Sequence, residues 1–213
     1  MRHLRRPELP SQTPELARYL IGKNLVLDRR GTRMSGRIVE TEAYLIDDEA
    51  CHAFRGRTAR NQSLFLSRGH AYIYYIYGNH FMMNVSSEAA NSGAGVLIRA
   101  IEPTDGVELM RSRRGVKRIA DLTNGPGKLT AALGIDARYD GVDLCSDKRL
   151  WLGTGSRSTG PIGTSVRIGL TRAADRELRF FEAGNPFLSG SRALNHHSRG
   201  LEVTRSPSAA FRG

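Results

Sequence analysis

Glu40 and Glu42 stand two positions apart in Arg37-Ile38-Val39-Glu40-Thr41-Glu42-Ala43-Tyr44, a stretch that reads as a β-strand. Alternate residues of a strand share a face, so Ile38, Glu40, Glu42 and Tyr44 are expected to point one way. Two carboxylates on one face suit a metal site, an acid–base pair or plain solvent exposure. Spacing alone favours exposure. Tyr44 nevertheless sets an aromatic ring beside the second carboxylate, where it would withdraw Glu42 from water and raise its basicity.

A second cluster is aromatic. Tyr72, Tyr74, Tyr75 and Tyr77 place four of the seven tyrosines within six positions. Tyr77 directly precedes Gly78-Asn79, a pair suited to a hairpin turn, which puts it at the apex of a ribbon. A large aromatic at a tip is costly to expose unless it inserts into something, as the wedges of minor-groove proteins do. Tyr72 and Tyr75 suit packing beneath the sheet better. Gly125-Pro126-Gly127-Lys128-Leu129 could offer backbone N–H groups and a lysine to a phosphate at a helix start. It is not a Walker A loop, because Leu129 stands where Ser or Thr is needed, nor a dinucleotide fingerprint, because Thr130 replaces the third glycine.

Cys51 and Cys145 show no metal or redox spacing and are too few for a disulfide framework, so both are expected reduced. No HxxxH or CxxC pair occurs, and the zinc-deaminase pattern is missing. Glu40, Glu42 and Asp47 or Asp48 still leave a metal-dependent nuclease open as an alternative, beside a non-catalytic nucleic-acid binder.

The elements that must position these groups follow from turn and cap signals. Thr13-Pro14-Glu15 opens an amphipathic helix with Leu16, Tyr19 and Leu20 on one face and Gly22 as its stop. Asn24 to Asp28 reads as a strand, Arg30-Gly31 as a turn and Arg33 to Tyr44 as a second strand. Asp47 to Arg60 is a long loop or weak helix, and Ala71 to Val85 a hairpin joined at Gly78-Asn79. A strand is expected over Gly95 to Ile101, a helix over Thr104 to Arg111, and another from Pro126 to near Gly134. Val166 to Leu170 and Leu178 to Glu182 look like a late strand pair, after a Gly/Ser/Thr-rich loop from Gly153 to Gly163. Strands and helices do not alternate, which disfavours a parallel sheet and predicts an antiparallel one with flanking helices.

The 213 residues fit one domain with a packed core. No apolar run is long enough to span a membrane, and no secretory signal opens the chain, so a cytoplasmic protein is expected. The formal net charge is +11 from 32 Lys+Arg against 21 Asp+Glu, and Lys23, Lys117, Lys128 and Lys148 are the only lysines. Arginine forks match phosphate oxygens, which points to DNA or RNA as partner. Charge indicates the partner class, not the chemistry.

Together these motifs resemble the alkyladenine (3-methyladenine) DNA glycosylase family. The carrying segments are Val39 to Tyr44, Asp48 to His52, Arg60-Asn61, Ala71 to Asn84, Val96 to Pro103 and Gly125 to Leu129, in the family's order across roughly Pro14 to Gly190. The resemblance implies an α+β single domain with a curved, mostly antiparallel sheet, flanking helices and a protruding hairpin that enters DNA. A basic arm (1–12) would precede the glycosylase domain (13–190), and a basic tail (191–213) would follow it. It implies a monofunctional hydrolase, needing neither metal nor cofactor, that flips alkylated or deaminated purines from duplex DNA as a monomer and begins base excision repair. In a bacterium it would sit on the nucleoid. Glu42 matches the general base and Arg99 a side chain near the catalytic water. Tyr44, His52 and Tyr74 match the walls around the flipped base, and Asn84 the floor that rejects the amino group of guanine. Tyr77 matches the residue that fills the gap in the duplex, while Asn79, His80, Arg60 and Lys128 are the further expected DNA contacts. A strict two-residue turn at Gly78-Asn79 would put Tyr74 and Asn84 on opposite faces, so a longer turn or a bulge is expected.

Overall fold

The structure, a computed structural model, describes residues 1–76, 78–155 and 158–196. Helix α1 (Thr13–Leu20) carries Pro14 in its first turn, which the fixed φ of proline suits, and buries Leu16, Ala17 and Leu20. Each buried leucine contributes about 1.5–3 kcal/mol relative to exposure. Strand β1 (Asn24–Arg29) turns at Arg30-Gly31 into β2 (Thr32–Tyr44). The hairpin β3 (Ala71–Ile76) and β4 (His80–Ser87) is followed by β5 (Ala94–Asp105) and the helices α2 (Val107–Arg114) and α3 (Pro126–Leu133). Short strands β6 (Leu150–Gly153), β7 (Ile162–Ser165) and β8 (Arg179–Glu182) precede the short helix α4 (Arg192–His196).

All strand pairs are antiparallel, in the order β3-β4-β5-β2-β1-β6. The first half of β2 pairs with β1 (Thr32 to Arg37), while Glu40 to Glu42 pair with β8 on the same edge, and β8 carries β7. The sheet therefore forks at the glutamates and curls. One face carries the main core, where Leu25, Leu27, Ile38, Ala43, Val96 and Ile98 pack with residues of α1 and α3. The first twelve residues lie against this body, with Leu4 and Leu9 buried in the same core. No helix among the described residues is long and apolar enough to cross a membrane.

Several expectations change. Strand β5 runs through Pro103 to Asp105, so the helix expected from Thr104 begins only at Val107. Pro103 is tolerated because it faces Gly36 at a register shift, where a ladder hydrogen bond is already broken. Gly106 makes the corner at φ +72°, and a Cβ there would lie 2.7 Å from the Arg33 carbonyl oxygen. The late pair forms between Ile162–Ser165 and Arg179–Glu182, leaving Val166 to Leu170 as a loop. The expected Gly153 to Gly163 loop is bounded by β6, which sequence patterning missed, and by β7. Asp47 to Arg60 is a series of turns without a helix. Residues 197–213 of the expected tail lie outside the described residues.

Two register features matter most for the site. Ile38 pairs with Ile101 and Glu40 with Ala100, so Val39 is an extra residue on β2; Glu40 pairs with Ala100 and Thr41 with Ile98, so Arg99 is an extra residue on β5. Ile38 consequently lies in the main core with Ala43, and only Glu40, Glu42 and Tyr44 share the opposite face. In the hairpin, Ile76 pairs with His80, which leaves three positions at the turn instead of two. That slip pairs Tyr74 with Met82 and Tyr72 with Asn84, bringing Tyr74 and Asn84 to one face as the longer turn requires.

Candidate active site

A cavity of about 280 Å³ opens between the hairpin, β5 and the two loops after β2 and β7. Its aromatic wall comes from the hairpin face and the turn after β2. His52 and Tyr74 meet edge-on, with ring centroids 4.4 Å apart, and Tyr72 stacks on Tyr74 at 5.3 Å. The Tyr72 hydroxyl and His52 Nδ1 are 2.9 Å apart, so Tyr72 is buried as expected yet also fixes a wall residue. Tyr75 departs from expectation: it is 48% exposed and packs on Phe81 at the hairpin's outer side. Burial, reinforced by Arg60, pushes the His52 imidazole below its ordinary value, so the ring is neutral at pH 7. Asn84 lines the cavity and donates from Nδ2 to the Tyr72 carbonyl at 3.3 Å.

Glu42 lies one layer behind this wall and is fully buried. Its Oε1 accepts the Ile168 N–H at 2.8 Å. Its Oε2 accepts the Tyr44 hydroxyl at 2.9 Å and lies 3.2 Å from Arg99 Nη1. Tyr44, Arg99 and Ile168 all line the cavity. Burial and the adjacent Glu42 carboxylate push the Tyr44 phenol far up, so it remains a donor. Burial alone would weaken the Arg99 guanidinium, but Glu42 and Glu40 raise it above its usual value.

Glu40 has a different environment. Its Oε1 accepts Arg179 Nε (2.7 Å), the Ser189 hydroxyl (2.7 Å) and Arg99 Nε (3.0 Å), while Oε2 accepts the Ser189 N–H (2.6 Å). Burial opposes its charge, yet Arg179 and Arg99 hold its pKa below the ordinary carboxylate value. Arg179 also donates to the Leu194 carbonyl and the Asn195 side chain, tying α4 to the same carboxylate. Of the other two carboxylates considered for a metal, Asp48 is taken by Arg167 and Asp47 is exposed beside Arg176. Carboxylates saturated by guanidinium groups are poor cation ligands. Among the described residues, no three His, Cys, Asp or Glu side chains are placed to share a metal ion. Cys51 also lines the cavity, but burial pushes its thiol up to about 11, so it is no thiolate nucleophile.

Among the described residues, the buried charged side chains are Arg37, Arg99, Arg167 and Arg179 against Glu40, Glu42, Asp48 and Glu182. They cancel, so the +11 formal charge is carried by the rest of the chain. Of the residues expected at DNA, Asn79 is exposed at the hairpin turn, and His80 packs over Gly127 at the start of α3. Lys128 is exposed on that same helix turn and donates to Asn124. Arg60 stands on the other flank of the ribbon and donates to the Tyr75 carbonyl at 2.9 Å. Tyr77 lies outside the described residues.

The family described as Methylpurine-DNA glycosylase (MPG) matches residues 8–186. The chain belongs to the methylpurine-DNA glycosylase family. That places it among the DNA N-glycosylases, which are hydrolases. A relative from Mesorhizobium japonicum, named "Putative 3-methyladenine DNA glycosylase", is 57% identical over 189 residues, covering 89% of this chain and 91% of its own. A Paraburkholderia phytofirmans protein of the same name is 51% identical over 191 residues, covering 90% of each. One from Salinibacter ruber, also so named, is 42% identical over 188 residues, covering 83% of this chain and 91% of its own. Within this family member, the site residues that sequence reasoning missed include Leu64 and, on the loop after β7, Ile168, Gly169 and Leu170. Ile168 stands 126 positions from Glu42, and no local pattern signals their contact.

Proposed function

We propose that this glycosylase acts on 3-methyladenine and related alkylated purines, which it turns out of duplex DNA into the aromatic cavity. There Glu42 activates the water that releases the base. The observation that carries this reading is the placement of a buried carboxylate directly behind an aromatic cavity, oriented by Tyr44, Arg99 and the Ile168 N–H. A cavity of about 280 Å³ is near the lower end for small-ligand sites and suits a single base.

Alkylation at N3 or N7 leaves the purine cationic, so its glycosidic bond is weakened and aromatic faces attract it. The base is held between Tyr44 and the His52–Tyr74 pair, with Asn84 at the floor rejecting the amino group of guanine. A neutral His52 avoids repelling the cation. Glu42 takes a proton from water as its oxygen bonds to C1′; the C1′–N bond breaks and its electron pair leaves with the purine, giving an abasic site. Arg99 holds the carboxylate in place. Neutral deaminated purines belong to the same reading but need more help for the leaving group. A lyase step would need an amine nucleophile, and no lysine lines the cavity among the described residues. Tyr77 fills the gap in the duplex, and Asn79, His80, Arg60 and Lys128 flank the entry. The enzyme works as a monomer in the cytoplasm, on the nucleoid in a bacterium. Flipping costs a few kcal/mol, least for a damaged or mispaired base.

The test is Glu42→Gln. Single-turnover release of 3-methyladenine or 7-methylguanine from a duplex should fall by about 10²–10⁴-fold, the usual contribution of a positioned base. Affinity for a duplex carrying an abasic-site mimic should stay near that of the wild type. Retained turnover would refute the role of Glu42.

A further inference from the structure

Asp48 and Arg167 meet as an ion pair in which both side chains are wholly buried. The guanidinium takes both carboxylate oxygens, through Nη1 to Oδ2 and through Nη2 to Oδ1, the latter at 3.0 Å. Nη1 also donates to the Ala43 carbonyl at 2.9 Å, and Nη2 to the Ala173 carbonyl at 3.2 Å. The same group lies over the Tyr44 ring, with Cζ 4.6 Å from its centroid. Asp48 Oδ1 in turn accepts the Ala50 N–H at 3.0 Å.

Each partner sits one or two residues before a segment of the cavity wall. Ala50, Cys51 and His52 follow Asp48, while Ile168, Gly169 and Leu170 follow Arg167. The pair is therefore a pin through two loops that approach the cavity from opposite ends of the sequence, with Tyr44 against its face. As a stabilising device it is poor. Burying two ions costs several kcal/mol each, and Arg167 Nε has no hydrogen-bond partner. An apolar pair of similar volume would hold two loops together at least as well. What it could not supply is a flat cation behind an aromatic ring together with fixed backbone positions on either side.

We propose that Arg167, fixed by Asp48, is a positioning residue for base release. It backs the Tyr44 ring against which the base is held, and it sets the Ile168 N–H at the distance that orients Glu42. The inference rests on the reading of Glu42 given above. Misplacing a reacting group by about 1 Å can cost a factor near 10².

The experiment compares Arg167→Lys, Asp48→Asn and the uncharged pair Asp48→Asn/Arg167→Met with wild type and Glu42→Gln, using a duplex containing one methylated purine. Single-turnover rates, affinity for an abasic-mimic duplex and thermal unfolding are read for each protein. Lysine keeps the charge but cannot grip both carboxylate oxygens, reach Ala43 and cover the ring at once. The expected result is a rate about 10–100-fold lower in Arg167→Lys and in the double variant, with affinity within about threefold of wild type. A folded double variant with wild-type turnover would overturn the proposal. So would a double variant that fails to fold, or one whose rate and affinity fall in parallel, since either assigns the pair to stability. If Glu42→Gln keeps its turnover, the general-base reading fails by itself, and the Arg167 rates then report on Tyr44 alone.

Discussion

Replacing Glu40 with glutamine separates the two neighbouring glutamates by the work each does. Glutamine has nearly the same shape, and its amide oxygen would occupy the Oε1 position, where Arg179, Arg99 and the Ser189 hydroxyl all donate. Its NH₂ would then face the Ser189 N–H across 2.6 Å, a donor against a donor. The charge lost is worth more than that clash. Arg99 keeps Glu42 as a counter-ion at 3.2 Å, but the remaining partners of Arg179 (Ser165, Leu194 and Asn195) are neutral. A buried guanidinium left without its counter-ion costs about 3–5 kcal/mol. Against a total stability of about 5–15 kcal/mol, that is a large fraction. For a chain of this length it corresponds to a drop in Tm of about 6–20 °C. Urea unfolding at neutral pH, read by tryptophan fluorescence and circular dichroism, measures it, with the m-value checked for constancy. Glu42→Gln should instead lose turnover and about 1–2 kcal/mol or less, because Arg99 then keeps Glu40. A Glu40→Gln protein within about 1 kcal/mol of wild type would refute the electrostatic argument, as would a Glu42→Gln protein destabilised equally.

Tyr44→Phe keeps the ring and removes the hydroxyl that donates to Glu42; base release should slow about tenfold with abasic-site binding unchanged, equivalent to one hydrogen bond of about 1.4 kcal/mol. A single-turnover rate within twofold of wild type would show that the hydroxyl does not orient the carboxylate. His52 gives a pH dependence of defined sign. Its folded pKa is depressed below the ordinary value of about 6.5, so between those two values the unfolded chain binds more protons and stability rises with pH. His52→Gln should flatten the slope of unfolding free energy in that window, and an unchanged slope would count against the shift. Arg60→Gln removes one cause of the depression, so the acid limb of release of a cationic purine should move to higher pH.

Much of the architecture is legible along the chain. Pro14, Gly22, Arg30-Gly31 and Pro126 mark element ends by their own backbone preferences, and the aromatic run from Tyr72 marks the hairpin. Pro103 misleads, because a proline at a register shift breaks no ladder, and the strand continues past it. Val166 to Leu170 misleads too: its apolar residues serve a cavity wall instead of a sheet.

The residue types that could do chemistry were fixed by the sequence itself. Two carboxylates and a tyrosine share one strand, and the hairpin is dense in aromatics, because such patterns depend only on spacing along one strand. Which carboxylate is held by residues of the cavity wall was decided by tertiary structure. Glu40 and Glu42 are equivalent by spacing, and the extra residues Val39 and Arg99 lie on different strands whose registers must be known together. Arg179 and Ser189 then claim Glu40, while Ile168 and Tyr44, which line the cavity, hold Glu42 directly behind its wall, through contacts that span up to 149 positions. Hydrogen bonds act over about 3 Å of space and leave no period in the sequence. Only the folded sheet brings the two glutamates to different partners.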